Sequence, residues 1–278
     1  MIEIPEALTL STQINNAISG KQIINVVAEH TPHKFAWFYG DPQKYSDKLV
    51  GKTIRKSCSW GGMVEIKVDD AKIIICDGVA FRYLKPGTKP PSKHQLLLEL
   101  EDSSLITASV QMYGGMWCFK EDEKYENPYF WGAREKPLVL SNDFSEGYFD
   151  QLMSSESVQK LSTKAFLATD QRIPGLGNGV LQDILWKTKI HPKRKISSLK
   201  DNEKETLFFN VKDVISDMIK AGGRDTEKDL FGNYGGYKTM MSKKNIGNPC
   251  IACGGTIKKE NYLGGSIYYC ENCQSLQF

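Results

Sequence analysis

Apolar positions change period twice along this chain. Over residues 6–19, Leu8, Leu10, Ile14, Ala17 and Ile18 recur at helical spacing behind Pro5, a residue suited to a first helical turn. Short apolar runs follow at 23–28, 64–68, 73–76, 96–100 and 105–111, parted by turn pairs such as Asp69-Asp70 and Glu101-Asp102. That rhythm predicts a β-sandwich or barrel up to about residue 137. Past Pro137 the period becomes helical, at 149–153, 158–167, 179–188 and 203–221, with Ser141 and Thr163 placed to cap or flank helix starts. Gly222-Gly223 ends the last helix. Residues 222–248 are rich in Gly, Lys, Asn and Tyr without a period, and a loop of that length in a compact domain is usually functional or mobile. The expectation is a multi-domain α+β protein, divided as 1–137, a β-sandwich with a leading helix; 138–244, mostly helical; and 245–278.

The last segment carries Cys250, Cys253, Cys270 and Cys273 as C-x2-C-x16-C-x2-C. Two such knuckles on a hairpin deliver four thiolates to a tetrahedral ion, so the spacing predicts one structural zinc. Cys58, Cys76 and Cys118 lie in apolar surroundings and read as small buried hydrophobes. No basic leader opens the chain and no run approaches the roughly 20 apolar residues of a membrane span, which predicts a soluble cytoplasmic protein. The net charge of +3 names no partner by itself. Its distribution does more: residues 187–278 hold 16 Lys and Arg against 10 Asp and Glu, as expected of a phosphate-neutralising surface.

Between two helical patterns lies Asp170-Gln171-Arg172-Ile173-Pro174-Gly175-Leu176-Gly177-Asn178-Gly179, followed by Ile190-His191-Pro192. A glycine turn opening a helix points unpaired backbone N–H groups outward and makes a phosphate seat, to which Asn178 adds a donor. With Ile4-Pro5-Glu6 at the start and the four-cysteine hairpin at the end, the chain resembles the formamidopyrimidine-DNA glycosylase and endonuclease VIII family, the helix-two-turn-helix DNA glycosylases. The resemblance implies a protein that binds duplex DNA, flips a damaged nucleotide and cleaves its glycosidic bond. It places the helix-two-turn-helix DNA-binding domain at 138–244 and a zinc finger at 245–278, and it implies a monomer. Glu3 and Glu6 fall on the family's acidic active-site positions; Glu6 also suits the helix dipole. Lys164, Gly177 and Asn178 fall where the family contacts phosphate.

The departures are informative. Ile2 stands where the family has the N-terminal proline whose amine attacks the sugar, and a bulky Ile should leave Met1 in place. Gly62 and Gly265 stand where a strand lysine and a zinc-hairpin arginine are expected. In Asn127-Pro128-Tyr129-Phe130-Trp131-Gly132, Phe130 replaces an arginine that enters the duplex, while Trp131 is either a wedge or a core aromatic. Tyr113 and Trp117 are open to the same two readings, and the 222–237 loop either closes over an everted base or is solvated. The resemblance with these losses implies hydrolytic base excision with weak or absent cleavage of abasic sites. The alternative is a non-catalytic binder of damaged, abasic or distorted DNA.

Overall fold

The computed structural model describes residues 1–276. They form two compact units, 1–130 with 221–236, and 131–220 with 237–278. In the first unit the chain opens with α1 (Ile4–Ala17), where Pro5 sits in the first turn and the face Ala7, Leu10 and Ile14 is buried against the strands. The strands that follow are β1 (Ile23–Ala28), β2 (Ala36–Phe38), β3 (Ile54–Trp60), β4 (Met63–Val68), β5 (Ala71–Cys76), β6 (Val79–Leu84), β7 (Leu96–Leu100), β8 (Leu105–Val110) and β9 (Gly114–Lys120), with the short helix α2 (Tyr45–Leu49) before β3. They pair as two sheets, β1-β7-β8-β6 and β2-β9-β5-β4-β3, antiparallel except for β2 on β9. Both contribute apolar residues to one core with α1, which is the sandwich that the short apolar runs predict.

Four strands were not legible as apolar runs. β9 begins with Gly114 and Gly115, which lack apolar side chains because none fits: a Cβ at Gly114 would stand 2.6 Å from the Val79 side chain, and one at Gly115 2.6 Å from Trp117. β2 is three residues long, and β3 and β6 interleave charged residues.

α3 (Pro128–Glu135) leads into the second unit, which contains α4 (Glu146–Met153), α5 (Glu156–Gln159), α6 (Thr163–Ala168), α7 (Val180–Lys187), α8 (Asp201–Lys220) and the hairpin β10 (Ile257–Tyr262) with β11 (Gly265–Cys270). The helix expected at 158–167 is two helices. Ser155 and Ser162 each accept a backbone N–H, from Val158 and Ala165, and so begin α5 and α6 separately. The caps are these and Ser145. Ser141 and Thr163 instead spend their hydroxyls on the carbonyls of Leu138 and of His191 and Pro192. Phe149 packs edge-on to Phe166 and at a tilt to Phe208, forming the centre of this unit. Among the described residues no helix is long and apolar enough to cross a membrane.

Candidate active site and nucleic-acid interface

In the first unit, Glu3 and Glu6 lie at the start of α1, where the Glu3 backbone N–H donates to Glu6 Oε2 at 3.2 Å. Both side chains are buried, and both meet Arg224, itself 2 % exposed. Arg224 Nε donates to Glu6 Oε1 at 2.9 Å and Nη2 to Glu6 Oε2 at 2.7 Å, a two-pronged fork. Its Nη1 reaches Glu3 Oε1 at 3.4 Å, and Nη2 reaches the Met1 carbonyl at 3.4 Å. Burial disfavours the guanidinium charge, but Glu3 and Glu6 outweigh it and hold the Arg224 pKa above its ordinary value.

The loop can deliver this arginine because Gly222 and Gly223 take φ of +72° and +98°, and because Gly235 passes so close to the Gly223 carbonyl that a Cβ would stand 2.2 Å away. Gln13 of α1 pins the same loop, donating to Asp229 at 2.9 Å and accepting from the Leu230 N–H at 2.9 Å. The stretch read as either a closing or a solvated loop is thus anchored on α1. Arg224 had no signal of its own in the sequence, since its carboxylate partners lie 218 and 221 residues away. Two acids beside one helix start call for a cation, without saying where it comes from.

The N terminus completes this site. The Met1 ammonium pairs with Glu227, and the two, with Glu6, Arg82, Gln111 and Tyr234, line a cavity of about 290 Å³. Ile2, the nucleophile position by resemblance, has its side chain in the core and its amide N–H on the Asp77 carbonyl at 2.6 Å. Asp77 accepts hydrogen bonds from Cys76 Sγ at 3.1 Å and Tyr129 Oη at 3.3 Å, and burial raises its pKa despite both. Of the two undecided aromatics, Trp117 is core, while Tyr113 packs on Trp37 with its hydroxyl 3.9 Å from Met1 Sδ.

In the second unit, Lys164, Gly177, Asn178 and Gly265 come together. Lys164 Nζ donates to the Tyr262 carbonyl and lies over the Tyr262 ring, and burial lowers its pKa. Asn178 Nδ2 donates to the Ser266 carbonyl at 2.9 Å, and the Gly177 carbonyl accepts the Leu181 N–H at 3.2 Å in the first turn of α7. A Cβ on Gly265 would stand 3.4 Å from Lys164 Nζ and 3.6 Å from the Asn178 amide, so the hairpin approaches both donors closely. Gln182, which the motif did not single out, joins them by donating to Ser266 and accepting from the Tyr268 N–H at 3.0 Å.

The Sγ atoms of Cys250, Cys253, Cys270 and Cys273 all lie within 4.8 Å of one another and could hold a metal ion. The Cys250–Cys273 and Cys253–Cys270 separations, 3.8 and 3.4 Å, are far too long for disulfides and near the sulfur–sulfur edge of a tetrahedron with metal–sulfur bonds of about 2.3 Å. Trp186 Nε1 donates to Cys250 Sγ at 3.3 Å. Phe130, which by resemblance stands in the place of a DNA-contacting arginine and is expected among the DNA-binding residues, is fully buried. Its ring packs on Phe119 and Tyr125, at 6.1 and 5.4 Å, because an apolar ring at that point of α3 belongs to the core. Its neighbour Trp131 is 42 % exposed beneath the Arg134 guanidinium.

Comparison with known proteins bears on these sites. Residues 136–229 match the model of the formamidopyrimidine-DNA glycosylase H2TH domain. The formamidopyrimidine-DNA glycosylases of Lactococcus lactis subsp. cremoris and Bartonella quintana are 26 % and 25 % identical to this chain, each over 99 % of it and over 99 % and 100 % of their own lengths. A crystal structure of Lactococcus lactis Fpg with DNA containing N7-benzyl-Fapy-dG superposes with a TM-score of 0.83 at 25 % identity, covering 98 % of this chain and 99 % of that one. Over nearly its whole length the chain is similar to formamidopyrimidine-DNA glycosylases, and it carries a match to their H2TH domain. The Fpg of Thermus thermophilus shares the fold, with a TM-score of 0.81 at 22 % identity over 99 % of this chain and 100 % of its own.

The H2TH match runs from before α4 through α8 and into the Arg224 loop.

Proposed function

We propose that this protein is a DNA repair glycosylase that binds duplex DNA and excises a damaged or modified base by hydrolysing its N-glycosidic bond. The observation that carries the chemistry is the pair Glu3 and Glu6 at the head of α1, held by Arg224. Excision requires water to be activated, or a proton delivered, at the anomeric carbon. Glu3 is the group assigned to that work and Glu6 anchors it. Abasic-strand cleavage is weak or absent, because the proline amine of the family is replaced by Ile2, whose nitrogen is a hydrogen-bonded amide. A non-catalytic lesion binder is not favoured, since the relatives compared above carry the name of a glycosylase.

Lys164, Gly177, Asn178 and the hairpin around Gly265 are proposed to receive phosphates, and Trp131 to meet the duplex. A proposed structural zinc on Cys250, Cys253, Cys270 and Cys273 would clamp the hairpin that carries the carbonyl partners of Lys164 and Asn178. The protein is proposed to act as a monomer in the cytoplasm or nucleoid, with a catalytic domain at 1–137, the DNA-binding domain at 138–244 and the finger at 245–278.

The test is incubation with duplexes carrying oxidised, alkylated, deaminated and abasic sites, read with and without alkali, with borohydride trapping and intact-mass measurement of the N terminus. The expected result is alkali-dependent breaks that vanish in Glu3→Gln, with no trapped adduct. Tight binding to these duplexes without base release would sink the enzyme reading for those lesions, and trapping would restore an amine mechanism.

A further inference from the structure

We infer that Arg224 is a positioning residue for base excision: its guanidinium holds Glu3 as an oriented carboxylate, so that Glu3 accepts a proton from water and does not donate one to the departing base. The inference rests on the glycosylase reading and divides the labour within it. Two buried carboxyls within one helical turn share a proton when no cation stands between them, because like charges in a poorly solvated site cannot both ionise. Here the cation is present and fully enclosed. Glu6 takes its two short bonds and Glu3 the long one, so Arg224 is anchored on Glu6 and faces Glu3 as a charge.

Glu3 and Glu6 face Arg224, and Glu227 faces the Met1 ammonium. The other ionisable groups nearby are Asp77 beyond β5, Tyr113 before β9, Arg82 on β6, and Lys228 and Tyr234 in the loop. In the step that follows, the water oxygen bonds to C1′ and its proton passes to Glu3. The C–N electron pair leaves with the base, which takes a proton from solvent.

Single-turnover excision is measured from about pH 4.5 to 9 on the best-cleaved duplex of the panel, with duplex affinity and thermal melting in parallel. The proteins are wild type, Arg224→Lys, Arg224→Gln and Arg224→Gln with Glu6→Gln. The double variant removes one charge of each sign and carries the measurement if Arg224→Gln does not fold. Expected are an acid limb moved up by about one pH unit or more and a rate about tenfold lower near pH 6 in Arg224→Gln, with the limb partly restored in Arg224→Lys and affinity within about threefold. A folded Arg224→Gln or double variant whose acid limb stays in place overturns the inference, as does a loss confined to duplex affinity. Wild-type protein that releases no base overturns the glycosylase reading instead.

Discussion

Asp77 shows how one residue can serve the fold against its own ionisation. Its carbonyl holds the Ile2 amide, which fixes the N terminus beside Glu3, while its carboxyl is enclosed with Cys76 and Tyr129. Burial raises its pKa, so folding favours the neutral acid relative to the unfolded chain. The sign follows by linkage: below the unfolded value near about 3.9 the group is neutral in both states and carries no penalty. As pH rises from the unfolded value to the higher folded value the penalty develops, and above the folded value it is complete. Asp77→Asn should therefore raise the melting temperature relative to wild type more at about pH 7 than at about pH 4. An equal effect at both pH values, measured by thermal denaturation, would exclude this account. Phe130 and Trp131 make the same point by position alone. Two adjacent aromatics of α3 have opposite fates, and neither composition nor motif tells which ring faces the core.

At the scale of elements, the hairpin β10–β11 is held from three sides. Its turn uses Leu263 and Gly264 with φ of +48° and +71°, its strands are flanked by the four thiols, and its backbone carbonyls receive Lys164 and Asn178. So small an element buries little apolar surface, and a bound ion would provide much of its folding free energy. Elemental analysis should find one zinc per chain. Chelation should expose residues 250–273 to protease and weaken duplex binding about tenfold or more, roughly 1.4 kcal/mol or more, while the circular dichroism of the sandwich strands persists. Duplex affinity unchanged after complete metal removal would contradict this arrangement. The division of α5 from α6 belongs to this scale too. The apolar period continues through 158–167, yet two serines each accept a backbone N–H and begin a helix of their own, Ser155 that of α5 and Ser162 that of α6.

For the whole molecule, charge separates with the units. The unit formed by 131–220 and 237–278 holds 19 Lys and Arg against 14 Asp and Glu, whereas the unit formed by 1–130 and 221–236 holds 17 against 19. The basic unit is the one that contains Lys164 and Asn178, and phosphate neutralisation there should dominate duplex affinity. If about five phosphates are neutralised, log K for duplex binding falls with log salt at a slope near about −4.5. Titration at several salt concentrations checks this, and a slope near zero would remove the basic unit from the interface. The excision rate of bound duplex should respond far less, because Arg224 and its acids are shielded from salt by burial.

The sequence alone determined the features that depend on local spacing. Helical periods and short apolar runs mark α1, β1, β4, β5, β7, β8, α7 and α8, since each is a local pattern carried by neighbouring residues. The C-x2-C pairs and the Gly175–Gly179 turn are legible for the same reason: a few neighbouring residues carry the whole geometry. Tertiary structure alone decided what depends on distant partners. It set Arg224 against Glu3 and Glu6 across more than two hundred residues, carried the 221–236 loop into the first unit, and placed Gly265 against Lys164 and Asn178. A buried charge requires a counter-charge, but the chain can supply it from any element that folding brings near, and only packing selects which one.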